Sequence, residues 1–181
     1  MSAALDLHEE LLTVLVVDDD ETNIQAVVSY LRKSPLNLKI LSAVGGEPAL
    51  EICKTSPPDL ILMDWDMPGI DGIETLKRLK ARTETADIPV VMMTGKMTSS
   101  DNMQEAFDAG AADFLHKPIV NHELILRVRT IANLLNSYRK IKEQNKEIRD
   151  GMIYASRIQQ SLLPPLADLT RVVPEAFFLY M

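Results

Sequence analysis

Four apolar runs in this sequence end in polar groups able to do chemistry. "LTVLVV" (12 to 17) runs into Asp18, Asp19 and Asp20, and "DLILM" (59 to 63) into Asp64. "IPVVMMT" (88 to 94) ends in Thr94 with Gly95 behind it, and "ADFLHKP" (112 to 118) ends in His116, Lys117 and Pro118. Carboxylates brought within a few ångströms of one another repel, so Asp18, Asp19 and Asp64 on one rim need a compensating cation. Oxygen donors with water in the remaining positions suit Mg²⁺, or Mn²⁺, and no cluster of Cys and His competes for a softer metal. Lys117 adds a charge that pairs with a carboxylate or a phosphoryl oxygen, and Thr94 adds a hydroxyl donor. A carboxylate nucleophile, a divalent metal, a lysine and a hydroxyl together stabilise a transferring phosphoryl group. Each part alone is ordinary, since aspartates cap helices and a lysine before a proline is usually just exposed. The signal is their order at successive strand ends.

The elements that must position these groups follow from periodicity. Helical spacing appears in 23 to 33, with Ile24, Val27, Val28 and Leu31 on one face, and again in 47 to 55, 73 to 81 and 101 to 110. Pro48 is tolerated in a first turn and Gly110 is a helix stop. "LKILSA" (38 to 43) is one more strand. Strands and helices alternate, and the strands read as apolar on both faces. That pattern predicts a doubly wound α/β domain with a five-stranded parallel sheet, whose ligands sit at the carboxyl ends of the strands.

Bulk properties narrow the function class. The chain has 181 residues, 46% hydrophobic and 25% charged, with a net charge of −7. A broad basic surface for nucleic acid is not expected. The single cysteine, Cys53, excludes an intrachain disulfide and falls in a helical pattern as a core residue. No apolar run approaches the roughly 18 residues of a membrane span. The beginning, "MSAALDLHEELL", is acidic where a secretory signal is basic. A soluble, cytoplasmic protein that engages no membrane is expected.

The stretches "VLVVDDDETN", "LILMDWDMPGIDG", "VVMMTG" and "DFLHKPI" resemble the receiver domain of bacterial two-component response regulators. The resemblance covers about residues 12 to 120 and implies a flavodoxin-like fold. It implies Asp64 as phosphoacceptor, served by a cognate histidine kinase or phosphotransfer protein. It implies Asp18 and Asp19 as the acidic pair holding Mg²⁺, with Asp19 the direct ligand and the backbone carbonyl of Asp66 a further one. Lys117 would pair with the acyl phosphate or with Asp64, Thr94 would sense the phosphoryl group, and Phe114 would be the aromatic switch that turns inward. The Lys117–Pro118 peptide is often cis in the family. Asp20 and Glu21 make this loop unusually acidic, which should favour metal binding. Asp66 and Lys96 lie two residues beyond Asp64 and Thr94, where the family tunes dephosphorylation; an ion pair between them over the acyl phosphate is expected to lengthen its life.

Two other readings use the same residues. Haloacid-dehalogenase-like phosphatases also place Asp-x-Asp after an apolar strand, which would make Asp64 the nucleophile and Asp66 the general acid. Their acidic pair comes last along the chain, whereas Asp18-Asp19 come first here. A receiver-like module that never uses its phosphorylation site usually loses one of the key residues, and none is lost here.

Beyond the receiver, assigned to residues 11 to 132 after a tail of 1 to 10, one helical pattern runs from Asn121 to about Leu163. Steps of three and four join Ile131, Leu134, Tyr138, Ile141, Asn145, Ile148, Met152, Ala155, Gln159 and Leu162, a sustained heptad. Residues 133 to 163 therefore read as a coiled-coil linker that makes a homodimer, with Asn145 at an a position fixing a parallel register; Gly151 weakens the helix and Ala155 and Gln159 are poor knobs. "ASRIQQSLLPP" resembles the lead-in to PPM-type (sporulation-type) serine/threonine phosphatases, which implies that residues 164 to 181 begin a truncated output domain, or that an effector acts in trans. The chain as given is expected to be no enzyme beyond its own phosphotransfer and autodephosphorylation.

Overall fold

The apolar runs form the strands of one parallel sheet in the computed structural model, which describes residues 11–95 and 100–162, with 100–103 and 159–162 as backbone only. The order is β1 (Leu12–Asp18), α1 (Glu21–Arg32), β2 (Leu38–Val44), α2 (Gly46–Thr55), β3 (Leu60–Asp64), α3 (Gly72–Lys80), β4 (Val90–Thr94), α4 (Ser100–Asp108), β5 (Asp113–His116) and α5 (Asn121–Leu162). The strands lie in the order β2-β1-β3-β4-β5, all pairs parallel. The chain steps outward from β1 to β2, then returns to the other side of β1 as β3. That reversal is the switch point where strand-end loops part and leave a crevice.

Burial explains why these runs are strands. Side chains alternate across a strand, and here both sets are apolar and covered. Leu15 and Val17, Ile61 and Met63, and Val90 and Met92 pack on one side under α2, α3 and α4. Val14 and Val16, Leu60 and Leu62, and Val91 and Met93 pack on the other side with residues of α1 and α5 such as Leu31 and Val128. β2 departs from the expected two-sided burial. It is an edge strand, and Lys39 and Ser42 stay exposed. Cys53 is a core residue, and burial pushes its thiol up to about 11, which leaves it inert.

Two helices begin earlier than the apolar spacing alone implies, because capping side chains set their starts. The Asp20 carboxylate accepts from the Thr22 N–H at 2.7 Å, so α1 starts at Glu21. The Asp71 carboxylate accepts from the Glu74 N–H at 2.7 Å, so α3 starts at Gly72. Gly72 is forced by contact. A Cβ there would meet the carbonyl oxygen of Asp64 at 2.2 Å, and the Gly72 N–H donates to the Trp65 carbonyl at 2.9 Å. The turn after β3 thus doubles back onto the backbone of Asp64. α4 is closed by Gly110 at φ +98°, within the glycine stop expected from sequence.

The chain divides into two units, residues 1–135 and 136–181. In the second, α5 continues through Leu162 with Tyr138, Ile141, Ile148 and Met152 exposed.

Two glycine substitutions separate packing from propensity. Gly72→Ala is expected to cost about 3 kcal/mol or more, because backbone must move to admit the methyl group. Gly151→Ala meets open space and is expected to gain about 1 kcal/mol of helix stability. Urea unfolding followed by circular dichroism reads both, and a neutral Gly72→Ala would contradict the close approach.

Candidate functional site

Strand ends bring the sequence-selected groups together. Asp18 closes β1, and its side chain is 1% exposed. Its Oδ1 accepts from the Asp20 N–H and from the Asn23 amide, each at 3.0 Å. Its Oδ2 accepts from Lys117 Nζ at 2.7 Å. Asp64 closes β3 and is also buried; its Oδ1 lies 2.7 Å from Lys117 Nζ and accepts from the Trp65 N–H at 2.9 Å. One ammonium therefore bridges two buried carboxylates. Asp19 is exposed beside them, and carboxylate oxygens of Asp18, Asp19 and Asp64 lie within 4.8 Å of one another.

Lys117 reaches this position because its own backbone is fixed. Its N–H donates to the Thr94 carbonyl at 2.7 Å, and its peptide to Pro118 is cis. Thr94 is buried at the end of β4, level with His116 across the β4–β5 ladder.

The charges have legible consequences. Burial raises the Asp64 carboxyl above its ordinary value of 3.8, and the Lys117 hydrogen bond offsets only part of that. Burial also pulls on the Lys117 ammonium, but its hydrogen bonds to Asp18 and Asp64 and their charges together hold it above the ordinary lysine value. Three carboxylates against one ammonium leave a formal charge of −2 in the cluster. All donors are oxygens, and a divalent hard cation such as Mg²⁺ suits that set.

Several expectations are refined. Phe114 is buried, 5% exposed, packed edge-to-face on Phe107 at 4.7 Å and tilted against Trp65 at 6.3 Å. Asp20 is not in the three-carboxylate cluster; its side chain caps α1, and the hydrogen bonds of that cap hold its carboxyl below the usual range. Asp66 is exposed on the loop after β3. The Asp66–Lys96 pairing lies outside the described residues, as do residues 163–181, which include the end of the stretch likened to a phosphatase lead-in. Asn23, Trp65 and Phe107 take part in the site without having been singled out. Asn23 alone left a trace, five residues after Asp18 in the first helical turn beyond it.

A family model described as the response regulator receiver domain matches residues 14–129. The transcriptional regulatory protein BaeR of Escherichia coli is 31% identical over 166 residues, which span 92% of this chain and 66% of that protein. A probable cyclic di-GMP phosphodiesterase of Vibrio cholerae is 33% identical over 165 residues, which span 87% of this chain and 36% of that protein. The chain thus spans less than two thirds of the length of either relative. The crystal structure of a putative response regulator from Chloroflexus aurantiacus superposes with a TM-score of 0.63 at 33% identity, covering 68% of this chain and 99% of that one. The matched family is the receiver and not the dehalogenase-like phosphatase.

Thermal unfolding with and without Mg²⁺ tests the cluster. Mg²⁺ at 100 times its Kd is expected to stabilise the protein by about 2.7 kcal/mol. Without Mg²⁺, Asp64→Asn is expected to be more stable than the parent at neutral pH. The folded state holds the Asp64 proton more tightly than the unfolded state, so parent stability falls as pH rises from 3.8 through the raised value. The advantage of Asp64→Asn should therefore shrink as pH falls and vanish below 3.8; a constant gap would assign it to another cause. Asn23→Ala, which frees one hydrogen bond on Asp18, is expected to weaken Mg²⁺ binding about tenfold. The fluorescence of Trp65, the chain's single tryptophan, reads that affinity.

Proposed function

The chain belongs to the response regulator receiver family, and from that premise we propose that it accepts a phosphoryl group on Asp64 from a histidine kinase or phosphotransfer protein. The observation that supports this most is Lys117 Nζ, held 2.7 Å from both Asp18 and Asp64 beside Asp19. Asp18, Asp19 and Asp64, with the backbone carbonyl of Asp66, are the groups to hold Mg²⁺ or Mn²⁺, Asp19 directly. When bound, such an ion would supply charge neutralisation for the carboxylates and the entering phosphoryl group.

The transfer is a displacement at phosphorus. A carboxylate oxygen of Asp64 forms a P–O bond as the P–N bond of the donor phosphohistidine breaks. The electron pair stays on the imidazole nitrogen, which takes a proton from water. Lys117 then exchanges Asp64 for a phosphoryl oxygen, and the Thr94 hydroxyl donates to another. In this reading Thr94 and the buried Phe114 respond together with Lys117, and the population of arrangements of α4, β5 and α5 shifts. Residues 11 to 132 form the receiver, and 133 to 163 carry the change onward as a dimerising helix.

For what that helix addresses, the reading kept is a PPM-type serine/threonine phosphatase in cis or an effector in trans, supported by the "ASRIQQSLLPP" stretch alone. The two relatives, named as a transcriptional regulator and a phosphodiesterase, carry different outputs, so the receiver by itself does not select one.

Acetyl phosphate with Mg²⁺ is expected to add one phosphoryl group to the parent by intact-mass spectrometry and none to Asp64→Asn. No adduct on the parent would favour a silent interaction module. Beryllofluoride with Mg²⁺ is expected to strengthen self-association in sedimentation, and Asp64→Asn to abolish that response; identical sedimentation in both states would refute the coupling.

A further inference from the structure

Helix α1 and the edge strand β2 enclose a groove that phosphoryl transfer does not use. Two lines of α1 side chains form one wall: Ile24, Val28 and Arg32, and beside them Gln25, Ser29 and Lys33. Ser42 of β2 forms the other wall. Residues four apart stand one above another on a helix, so each line ends in a cation at the same end of the groove. That end is the one where the strands begin, away from Asp18 and Asp64. Arg32 and Lys33 are exposed, and neither pairs with a carboxylate among the described residues. The middle is apolar, with Ile24 buried and Val28 half-buried. The chain enters β1 at the cationic end. The Leu12 N–H donates to the carbonyl of Asn37, in the turn between α1 and β2, at 3.0 Å, and Leu11 is 54% exposed. Residues 1–10 lie outside the described residues, but the order of their types matches the groove. Glu9 and Glu10 come nearest to β1, and Leu7 and Leu5 follow further out. The stretch from Leu5 to Glu10 holds three carboxylates and no lysine or arginine.

We propose that residues 5–10 dock in this groove of their own chain, with Glu9 and Glu10 beside Arg32 and Lys33, and Leu7 and Leu5 over Val28 and Ile24. Tethering at β1 allows one direction only, from the cations upward, and in that direction acids meet cations and leucines meet the apolar middle. The lengths agree. Ile24 to Arg32 is about 12 Å along the helix, and the five steps from Glu10 to Leu5 span about 17 Å when extended. Exposed ion pairs contribute little by themselves, so the leucines supply the burial and the carboxylates set which end lies where. The docked segment also lies along β2, whose open edge invites pairing with another chain.

Paramagnetic broadening in the full chain tests this. A nitroxide on Ala4→Cys sits just outside the docking segment, and the buried Cys53 stays unlabelled. The amide signals of Ile24, Val28 and Ser42 are expected to lose most of their intensity. Those of Phe114 and Leu115 in β5, across the sheet from β2 by about 19 Å, are expected to keep theirs. Glu9→Lys with Glu10→Lys is expected to restore the groove signals at low ionic strength, and Arg32→Glu with Lys33→Glu in that same chain to broaden them again. Lys39→Glu in place of that last pair, on the opposite face of β2, is expected to leave them sharp. Leu5→Ser with Leu7→Ser, which keeps every charge, is expected to restore them too. Broadening that is even over the receiver, centred on another face, or unmoved by the charge reversal would overturn the proposal. Equal broadening in an isotope-labelled chain mixed with a nitroxide-bearing one would assign the groove to the tail of a second copy and overturn docking within one chain. None of these results bears on phosphoryl transfer to Asp64, which the mass measurement reads separately.

Discussion

The whole rim depends on one ammonium shared by two buried carboxylates. Lys117 follows β5, whereas Asp18 and Asp64 end β1 and β3, so the side chain must cross the end of β4 to reach them. Its backbone is held to Thr94, and a Cβ on Gly95 would lie 3.9 Å from the Lys117 Cβ. A buried ion pair adds little net stability, but removing one partner leaves the other charge uncompensated at a cost of several kcal/mol. The bridge therefore does less to hold the fold together than to keep two carboxylates ionised side by side. The arrangement keeps an excess of two negative charges, which in the proposed function is what a divalent cation would neutralise before a phosphoryl group enters.

Everything around the bridge keeps it from relaxing. The central strands are buried on both faces, so a slip of one residue would exchange two apolar sets at no gain in burial and move Asp18 and Asp64 out of line. The ladders oppose that slip, pairing Val17 with Met63 and Asp64 with Met93. Gly72 brings the start of α3 against the Asp64 carbonyl, which fixes the backbone of the acceptor from the opposite side. Asp18 is held by three donors: the Asp20 N–H, the Asn23 amide and Lys117. With Oδ1 occupied by two of them, Asp18 has less left for a metal than the exposed Asp19, consistent with Asp19 as the direct ligand.

What could be read from sequence was what a strand end exposes. Asp18, Asp19, Asp64, Thr94 and Lys117 were legible because each terminates an apolar run, and a parallel sheet gathers such ends on one rim. Contacts made by chain reversal were not. The roles of Trp65 and Phe107 depend on where α4 packs, which no spacing states. Asp20 looked like one more acid for a metal, because a cap and a ligand are the same residue type; only the position of the Thr22 N–H separates them. Asp66 acts, in the receiver reading, through a carbonyl that every residue has. Phe114 was read as an aromatic switch from the resemblance alone, and its contacts with Trp65 and Phe107 come from packing that spacing does not state.

Those aromatic contacts link the acceptor to the surface of α4, and their size limits what they transmit. The Trp65 N–H donates to Asp64, its ring borders Phe114, and Phe114 meets the half-exposed Phe107 edge-to-face. An aromatic pair contributes about 0.5–1.5 kcal/mol beyond its buried area, roughly a tenfold bias at most. Driving a two-state element from one extreme to the other takes about 5.5 kcal/mol. The aromatic path can tune a switch of that size but cannot throw it. A term large enough must come from charge, and in the proposed function the charge that re-pairs at this rim is that of Lys117, which would exchange a carboxylate for a phosphoryl oxygen. On that reading the ammonium that bridges Asp18 and Asp64 is also the group whose re-pairing has the energy to change the site.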